Sequence, residues 1–171
     1  MISNRIASGG KKSVQTEALF QTENKPTDTT DHVTHRHDLF IEGHKLVALA
    51  FNPYAAGPPI ILLHGICSSV HYWTKELVDP FIEQGPCYAL SLPGHYPAVL
   101  SSQFQQEELN PVTIARLLSK AIRQLFGKQK VVLVGHSTGG FAALSIGAFV
   151  PDMTKFIVRR PALAQAKPTP L

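Results

Sequence analysis

The chain has 171 residues, of which 44% are hydrophobic and 16% charged, values typical of a single globular domain rather than a disordered or fibrous chain. The net charge is +4, but the last sixteen residues hold three basic side chains and no acid. Because no basic stripe lies on the body of the chain, we expect no nucleic-acid partner. Two cysteines are too few for a disulfide framework. The lack of a signal stretch or long apolar run predicts a cytoplasmic protein with no membrane association.

The N-terminal third of the chain changes character at His35. Residues 1–34 are polar and Thr-rich, and such a stretch cannot bury enough surface to offset the entropy of ordering it, so we predict a disordered tail. From His35 the apolar pattern predicts two short paired strands that meet at a turn around Gly43. The run IILLH follows AAGPP and is typical of a strand buried on both faces.

Helical and strand patterns then alternate, which predicts an α/β fold with a mostly parallel sheet and flanking helices. The predicted elements are a helix over 70–84 capped by Ser68 or Ser69, a strand at CYALSL, a helix from Asn110 and Pro111 to Gly127, a strand over 131–134, a helix over 138–150, and a strand that begins at 155–158.

The segment VVLVGHSTGG carries the clearest chemical signal in the sequence. It matches the nucleophile elbow G-x-S-x-G at Gly135, Ser137 and Gly139, directly after a predicted strand and before a helix. Glycines are needed on so tight a turn because larger side chains would collide there. Gly140 extends the small-residue pattern, and the backbone N–H of Thr138 is a candidate oxyanion donor at the start of the helix.

Two other glycine motifs do not fit this segment. A phosphate-binding P-loop requires Lys followed by Ser or Thr, but Gly140 is followed by Phe141. A dinucleotide fingerprint needs glycine where Ser137 stands. We therefore predict no cofactor.

A second motif lies about 70 residues earlier, where His64 and Gly65 follow the buried strand IILL. An oxyanion hole needs another N–H from a loop after an earlier strand, and Ile66 could supply it. His64 fits a structural role beneath that loop.

At these residues the sequence resembles the α/β-hydrolase superfamily, in particular its serine esterase, lipase and peptidase-like branch. PPIILLHG, ALSLPGH, NPVTIARLL, VVLVGHSTGG and FAALSIGAFVPD occur in the family order, over 35 to about 158. The resemblance implies that Ser137 is the nucleophile and that Ile66 and Thr138 are the oxyanion donors. A serine there disfavours the dehalogenase and epoxide-hydrolase branches. The family pattern usually has Asp where Ser91 stands and Gly where Tyr96 stands.

The acid and the base of the expected triad have no clear candidates. The family order is Ser, acid, His, yet all eight histidines lie at or before position 136, and Asp152 is the one acid after Ser137. Asp152 is expected to be a surface residue. We expect none of the upstream histidines to be the base; those considered are His64, His71, His95 and His136. The cluster of His32, His35 and His37, near His44, matches no metal-site spacing, so we predict no metal.

Two functions remain open from the sequence. The first is a serine hydrolase that acts on an ester or related acyl bond of a small-molecule substrate. The second is a non-catalytic remnant, or a ligand- or partner-binding module, with the same fold. A separate polypeptide could also supply the missing acid and base. We expect a partial α/β-hydrolase domain over 35–158, truncated after about the sixth strand, and an irregular basic, Pro-containing tail over 159–171. This tail is expected to be either a stretch that has left the ancestral reading frame or the end of a gene fragment in unrelated codons.

Overall fold

A computed structural model describes residues 35–160 of the chain. The predicted N-terminal tail and residues 161–171 lie outside the described residues. The described helices and strands are β1 (His35–Ile41), β2 (His44–Phe51), β3 (Ile60–Leu63), α1 (Lys75–Ile82), β4 (Cys87–Leu90), α2 (Pro111–Phe126), β5 (Val131–His136), α3 (Thr138–Phe149) and β6 (Thr154–Arg160).

The described strands form one mixed sheet in the order β1-β2-β4-β3-β5-β6. The first two strands pair antiparallel, and β2 also pairs antiparallel with β4. The remaining pairs, β4 with β3, β3 with β5 and β5 with β6, are parallel. The predicted α/β fold with a mostly parallel sheet is therefore confirmed.

Apolar side chains cover both faces of the sheet. On one face α2 and α3 pack through Leu117, Ile122 and Ala143. On the other face Trp73, which precedes α1, and Val78 of α1 lie against β2, β3 and β4. Burial on both faces explains why β3 is an uninterrupted apolar run. Parallel pairing of β3 with β5 places the carboxyl ends of these two strands side by side.

The predicted helix over 70–84 is two elements in the structure. A 3-10 turn, Val70–Tyr72, is capped by Ser69, whose hydroxyl accepts from the His71 N–H. The backbone leaves the helical region at Trp73 (φ −83°, ψ 78°), and α1 begins at Lys75 and ends at Ile82, before the predicted stop at Gly85. The apolar residues keep their helical spacing across this break. The sequence pattern therefore predicted one continuous helix.

The end of β6 also differs from the expectation. Arg159 and Arg160, which we expected in an irregular tail, continue the strand in register with Gly135 and His136 of β5. Their backbones complete the parallel ladder to the end of β5, where pairing depends on main-chain groups. The α2 prediction holds, since the Asn110 side chain accepts from Thr113 N–H at 3.0 Å and Pro111 opens the helix.

Candidate active site

Ser137 lies between the end of β5 and the first residue of α3, where the sequence predicts a nucleophile elbow. Its backbone has φ 52° and ψ −118°, a region that non-glycine residues occupy at a cost of about 1–3 kcal/mol. Such strain persists only where neighbouring structure enforces it. The turn separates the side chain of Ser137 from the hydrogen-bonded ladder of β5, as a presented nucleophile requires.

The glycines on either side of Ser137 permit this turn. A Cβ at Gly135 would lie 2.4 Å from the carbonyl carbon of Gly139, closer than any real contact. Gly139 and Gly140 are both buried in the first turn of α3, and Gly139 lies against the end of β3. Gly135 and Gly139 thus bring the backbones of strand, turn and helix closer than residues with a Cβ allow.

The loop after β3 adjoins the elbow. A Cβ at Gly65 would lie 3.3 Å from Ser137 Cβ and 3.1 Å from His136 Nδ1. Ile66 follows Gly65 with 65% of its surface exposed. Thr138 opens α3, and the first N–H groups of a helix have no acceptor within it. The two predicted oxyanion donors therefore belong to segments that meet at Ser137.

His64 is fully buried beneath this loop and is neutral at physiological pH. Its Nε2 accepts a hydrogen bond from the Leu92 N–H at 3.1 Å, which leaves Nδ1 to donate to the Gly65 carbonyl at 2.9 Å. Burial lowers the pKa of His64 to about 4, the hydrogen bond to Gly65 opposes that shift, and nearby His95 adds to it. Both ring nitrogens are occupied, so His64 joins the Gly65 loop to the segment after β4.

The other histidines considered as a base contact aromatic or imidazole rings and do not bond to Ser137. His136 stacks on Tyr72, His71 lies near Tyr96, and the His95 ring is 5.4 Å from that of His64. Among the side chains that the structure describes, none forms a hydrogen bond with the Ser137 hydroxyl. The general base is not among the described contacts.

Asp152 lies on the surface, as expected. Its Oδ2 accepts from Arg123 Nη2 at 2.8 Å, and 73% of its side chain is exposed. It follows the C-terminal end of α3, whereas Ser137 precedes the N-terminal end. The structure therefore separates the one acid after Ser137 from the elbow.

Two residues near the site have roles that the sequence did not indicate. Ser91 is buried, and its Oγ accepts from the Val47 N–H at 2.8 Å while its own N–H donates to the Val47 carbonyl. These contacts hold the segment after β4 against β2. Tyr72 stacks on His136. The apolar periodicity around Tyr72 does not indicate that contact.

The described part of the chain contains no cluster of three or more His, Cys, Asp or Glu side chains suited to a metal ion. Among its helices, none has the length and apolar content needed to cross a membrane. Neither finding bears on the elbow, whose chemistry depends on Ser137 and its neighbours.

Comparison with known proteins identifies the class. The alpha/beta hydrolase fold family matches residues 58–158, which span the Gly65 loop, the elbow and the first five residues of β6. The chain therefore belongs to the α/β-hydrolase family. No curated protein matches the chain.

Solved structures agree on the fold. An epoxide hydrolase, Cif, from Acinetobacter nosocomialis has a TM-score of 0.63 at 22% identity, over 73% of this chain and 37% of that one. The epoxide hydrolase VrEH1 from Vigna radiata has a TM-score of 0.63 at 17% identity, over 78% and 43% of the two chains. The chain thus spans less than half the length of either structure. Identities this low establish the fold and do not distinguish one hydrolase chemistry from another.

Proposed function

We propose that this chain carries the nucleophile and oxyanion elements of a serine hydrolase that acts on an ester or related acyl bond of a small molecule. The observation that carries the proposal is Ser137 itself, held at φ 52° on the turn from β5 to α3. Ser137 Oγ would attack the carbonyl carbon, and the N–H groups of Ile66 and Thr138 would stabilise the oxyanion. Collapse of this intermediate would break the ester C–O bond, release the alcohol and leave Ser137 acylated, and water would then release the acid and restore the hydroxyl.

The chemistry of serine favours acyl transfer over epoxide opening. A serine that opened an epoxide would form an ether, which offers water no carbonyl to attack, and turnover would stop. A serine ester keeps a carbonyl, so water can hydrolyse it and regenerate the hydroxyl. Similarity in fold to epoxide hydrolases therefore does not extend to the nucleophile proposed here.

The general base has to come from elsewhere. A serine hydroxyl is a weak nucleophile unless a base accepts its proton, and loss of the histidine from a comparable triad costs on the order of 10⁶ in rate, or about 8 kcal/mol. No histidine follows Ser137 in the sequence, and none of the described imidazoles bonds to it. We therefore propose that the acid and the base come from outside the described residues, and that these residues by themselves supply only the oxyanion and binding contributions.

A fluorophosphonate probe with added imidazole tests this proposal. We expect slow labelling of the purified chain, acceleration by imidazole as an external base, and one site per chain by mass spectrometry. Ser137→Ala should abolish labelling. Ser145→Ala is the matched control on the same helix, because the Ser145 hydroxyl already donates to the Phe141 carbonyl at 2.9 Å. Absence of labelling at Ser137 in the folded protein at any imidazole concentration would overturn the proposal.

A further inference from the structure

The elbow is connected to the protein core through a row of aromatic rings. The His136 ring stacks on Tyr72 with centroids 4.9 Å apart and planes 22° apart. Tyr72 meets Trp73 edge to face at 5.2 Å and 83°. Trp73 is only 2% exposed and belongs to the core cluster on that face of the sheet. The residue immediately before Ser137 is thereby packed, through two ring contacts, against a fixed part of the molecule.

The position of the His136 ring affects both sides of the candidate site. His136 shares a peptide bond with Ser137, and the stacking of its ring on Tyr72 restrains the residue at one end of that peptide. The same ring lies against the oxyanion loop, because a Cβ at Gly65 would be 3.1 Å from His136 Nδ1. The His136 imidazole thus helps to set the distance between Ser137 and the loop that precedes Ile66.

No hydrogen bond from the described residues holds the buried Nδ1 edge of the His136 ring. His136 Nδ1 is buried and has no hydrogen-bond partner among the residues that the structure describes. A buried polar atom without a partner costs about 1–3 kcal/mol, so packing and stacking have to compensate for it. An offset aromatic pair contributes about 0.5–1.5 kcal/mol beyond its buried area. The aromatic face of Tyr72, and not its hydroxyl, is the feature that matters.

We propose that Tyr72 is a positioning residue, which stacks on His136 to hold Ser137 in its strained conformation and in register with the Gly65–Ile66 loop. The inference rests on the proposed function, since it assigns Tyr72 a part in the reactivity of Ser137. The 3-10 turn Val70–Tyr72, with its Ser69 cap, then serves to present that ring. A misplacement of about 1 Å at a reacting group costs on the order of 100-fold in rate, so loss of the ring face should be visible in kinetics.

The test compares Tyr72→Phe, Tyr72→Leu and the control Tyr54→Leu, at a tyrosine that is 86% exposed. In imidazole-assisted labelling at saturating fluorophosphonate, we expect Tyr72→Phe to stay within about twofold of the wild type because it keeps the ring face. Tyr72→Leu should lower the limiting rate constant by about 10- to 100-fold with an unchanged apparent Kd for the probe. A labelling rate for Tyr72→Leu equal to that of Tyr54→Leu would overturn the inference.

A measurement that does not need reactivity keeps the two proposals separable. In NMR spectra, the His136 ring protons should show a ring-current shift that Tyr72→Phe retains and Tyr72→Leu loses. The amide resonances of Ile66, Ser137 and Thr138 should move only in Tyr72→Leu. If the wild type is never labelled, the proposed function fails, while unmoved amide resonances in Tyr72→Leu would overturn this inference separately. Tyr72→Met, which is unbranched and fills a similar volume, replaces the leucine variant if the latter does not melt cooperatively.

Discussion

Gly139, in the first turn of α3, lies so close to the end of β3 that a Cβ on it would be 2.2 Å from the Leu63 carbonyl oxygen. The obstacle is backbone, which cannot rotate away as a side chain can. The helix that follows the elbow is therefore seated directly on the strand that precedes the oxyanion loop. This approach brings the N-terminus of α3 and the Gly65 loop to one place.

Gly139→Ala is expected to be strongly destabilising for that reason. The new methyl group would force α3 from β3, and we expect a loss of at least about 3 kcal/mol in the free energy of unfolding, at the upper end for overpacked sites. Gly127→Ala is the matched control: Gly127 has φ 59° and ψ −124°, but a Cβ there meets nothing within 4 Å. This variant should lose less, because it carries only the backbone strain of about 1–3 kcal/mol and no steric overlap. Urea denaturation of both variants measures the difference, and equal losses would contradict the steric explanation.

Ser137→Gly should raise stability relative to Ser137→Ala. Both variants remove the hydroxyl, but only glycine relieves the strain at φ 52°, ψ −118°. The relief of about 1–3 kcal/mol exceeds the extra chain entropy that glycine loses on folding, about 0.5–1 kcal/mol. We expect the glycine variant to be about 1 kcal/mol more stable than the alanine variant in the same denaturation experiment. A less stable glycine variant would show that the turn is not strained in solution.

The sequence was sufficient for the parts of the site that depend on local residue identity. The apolar runs IILL and VVLV predicted β3 and β5, and the spacing of Gly135, Ser137 and Gly139 predicted the elbow between strand and helix. These features are encoded within a few neighbouring residues. No contact with distant segments is needed to recognise them.

Features that depend on distant contacts were not predictable. The break at Trp73 preserves the apolar spacing of a continuous helix, because the indole is buried in the same core as Val78. The stacking of Tyr72 on His136 joins residues that are far apart in the sequence. The strand continues through Arg159 and Arg160 because it pairs with β5. Two charged residues in the sequence do not indicate that the strand continues.

The low pKa of His64 predicts a specific loss of stability in mild acid. The unfolded imidazole has a pKa of about 6.5, and the folded one about 4. Between about pH 6.5 and about pH 4 the unfolded imidazole is protonated while the folded one stays neutral. The contribution of His64 to the free energy of unfolding is therefore fully present above about pH 6.5. It is lost as the pH falls toward about 4, by about 3 kcal/mol in total. His64→Gln, compared with His71→Gln as control, should flatten this part of the stability profile. A wild-type slope retained in His64→Gln would contradict the assignment.

The two cysteines should differ sharply in reactivity. Cys67 is exposed, whereas burial raises the pKa of the Cys87 thiol to about 12. At pH 8 only about one Cys87 in 10,000 would be a thiolate, the reactive form. A disulfide reagent should therefore modify one thiol per folded chain, and Cys67→Ser should abolish that reaction until denaturant is added. Fast modification of Cys87 in the folded Cys67→Ser protein would show that its pocket opens.

Asp152→Asn should leave the reactivity of Ser137 unchanged. The Asp152 carboxylate pairs with Arg123 at the surface, and an exposed pair of this kind contributes about 0–1 kcal/mol, which salt reduces further. Asp79→Asn is the matched control, because Asp79 forms a similarly exposed pair with Lys75. Both variants should lose a similar small amount of stability, and both should be labelled at the wild-type rate in imidazole. A selective loss of labelling in Asp152→Asn would instead identify this carboxylate as part of the reacting machinery, against its position at the far end of α3.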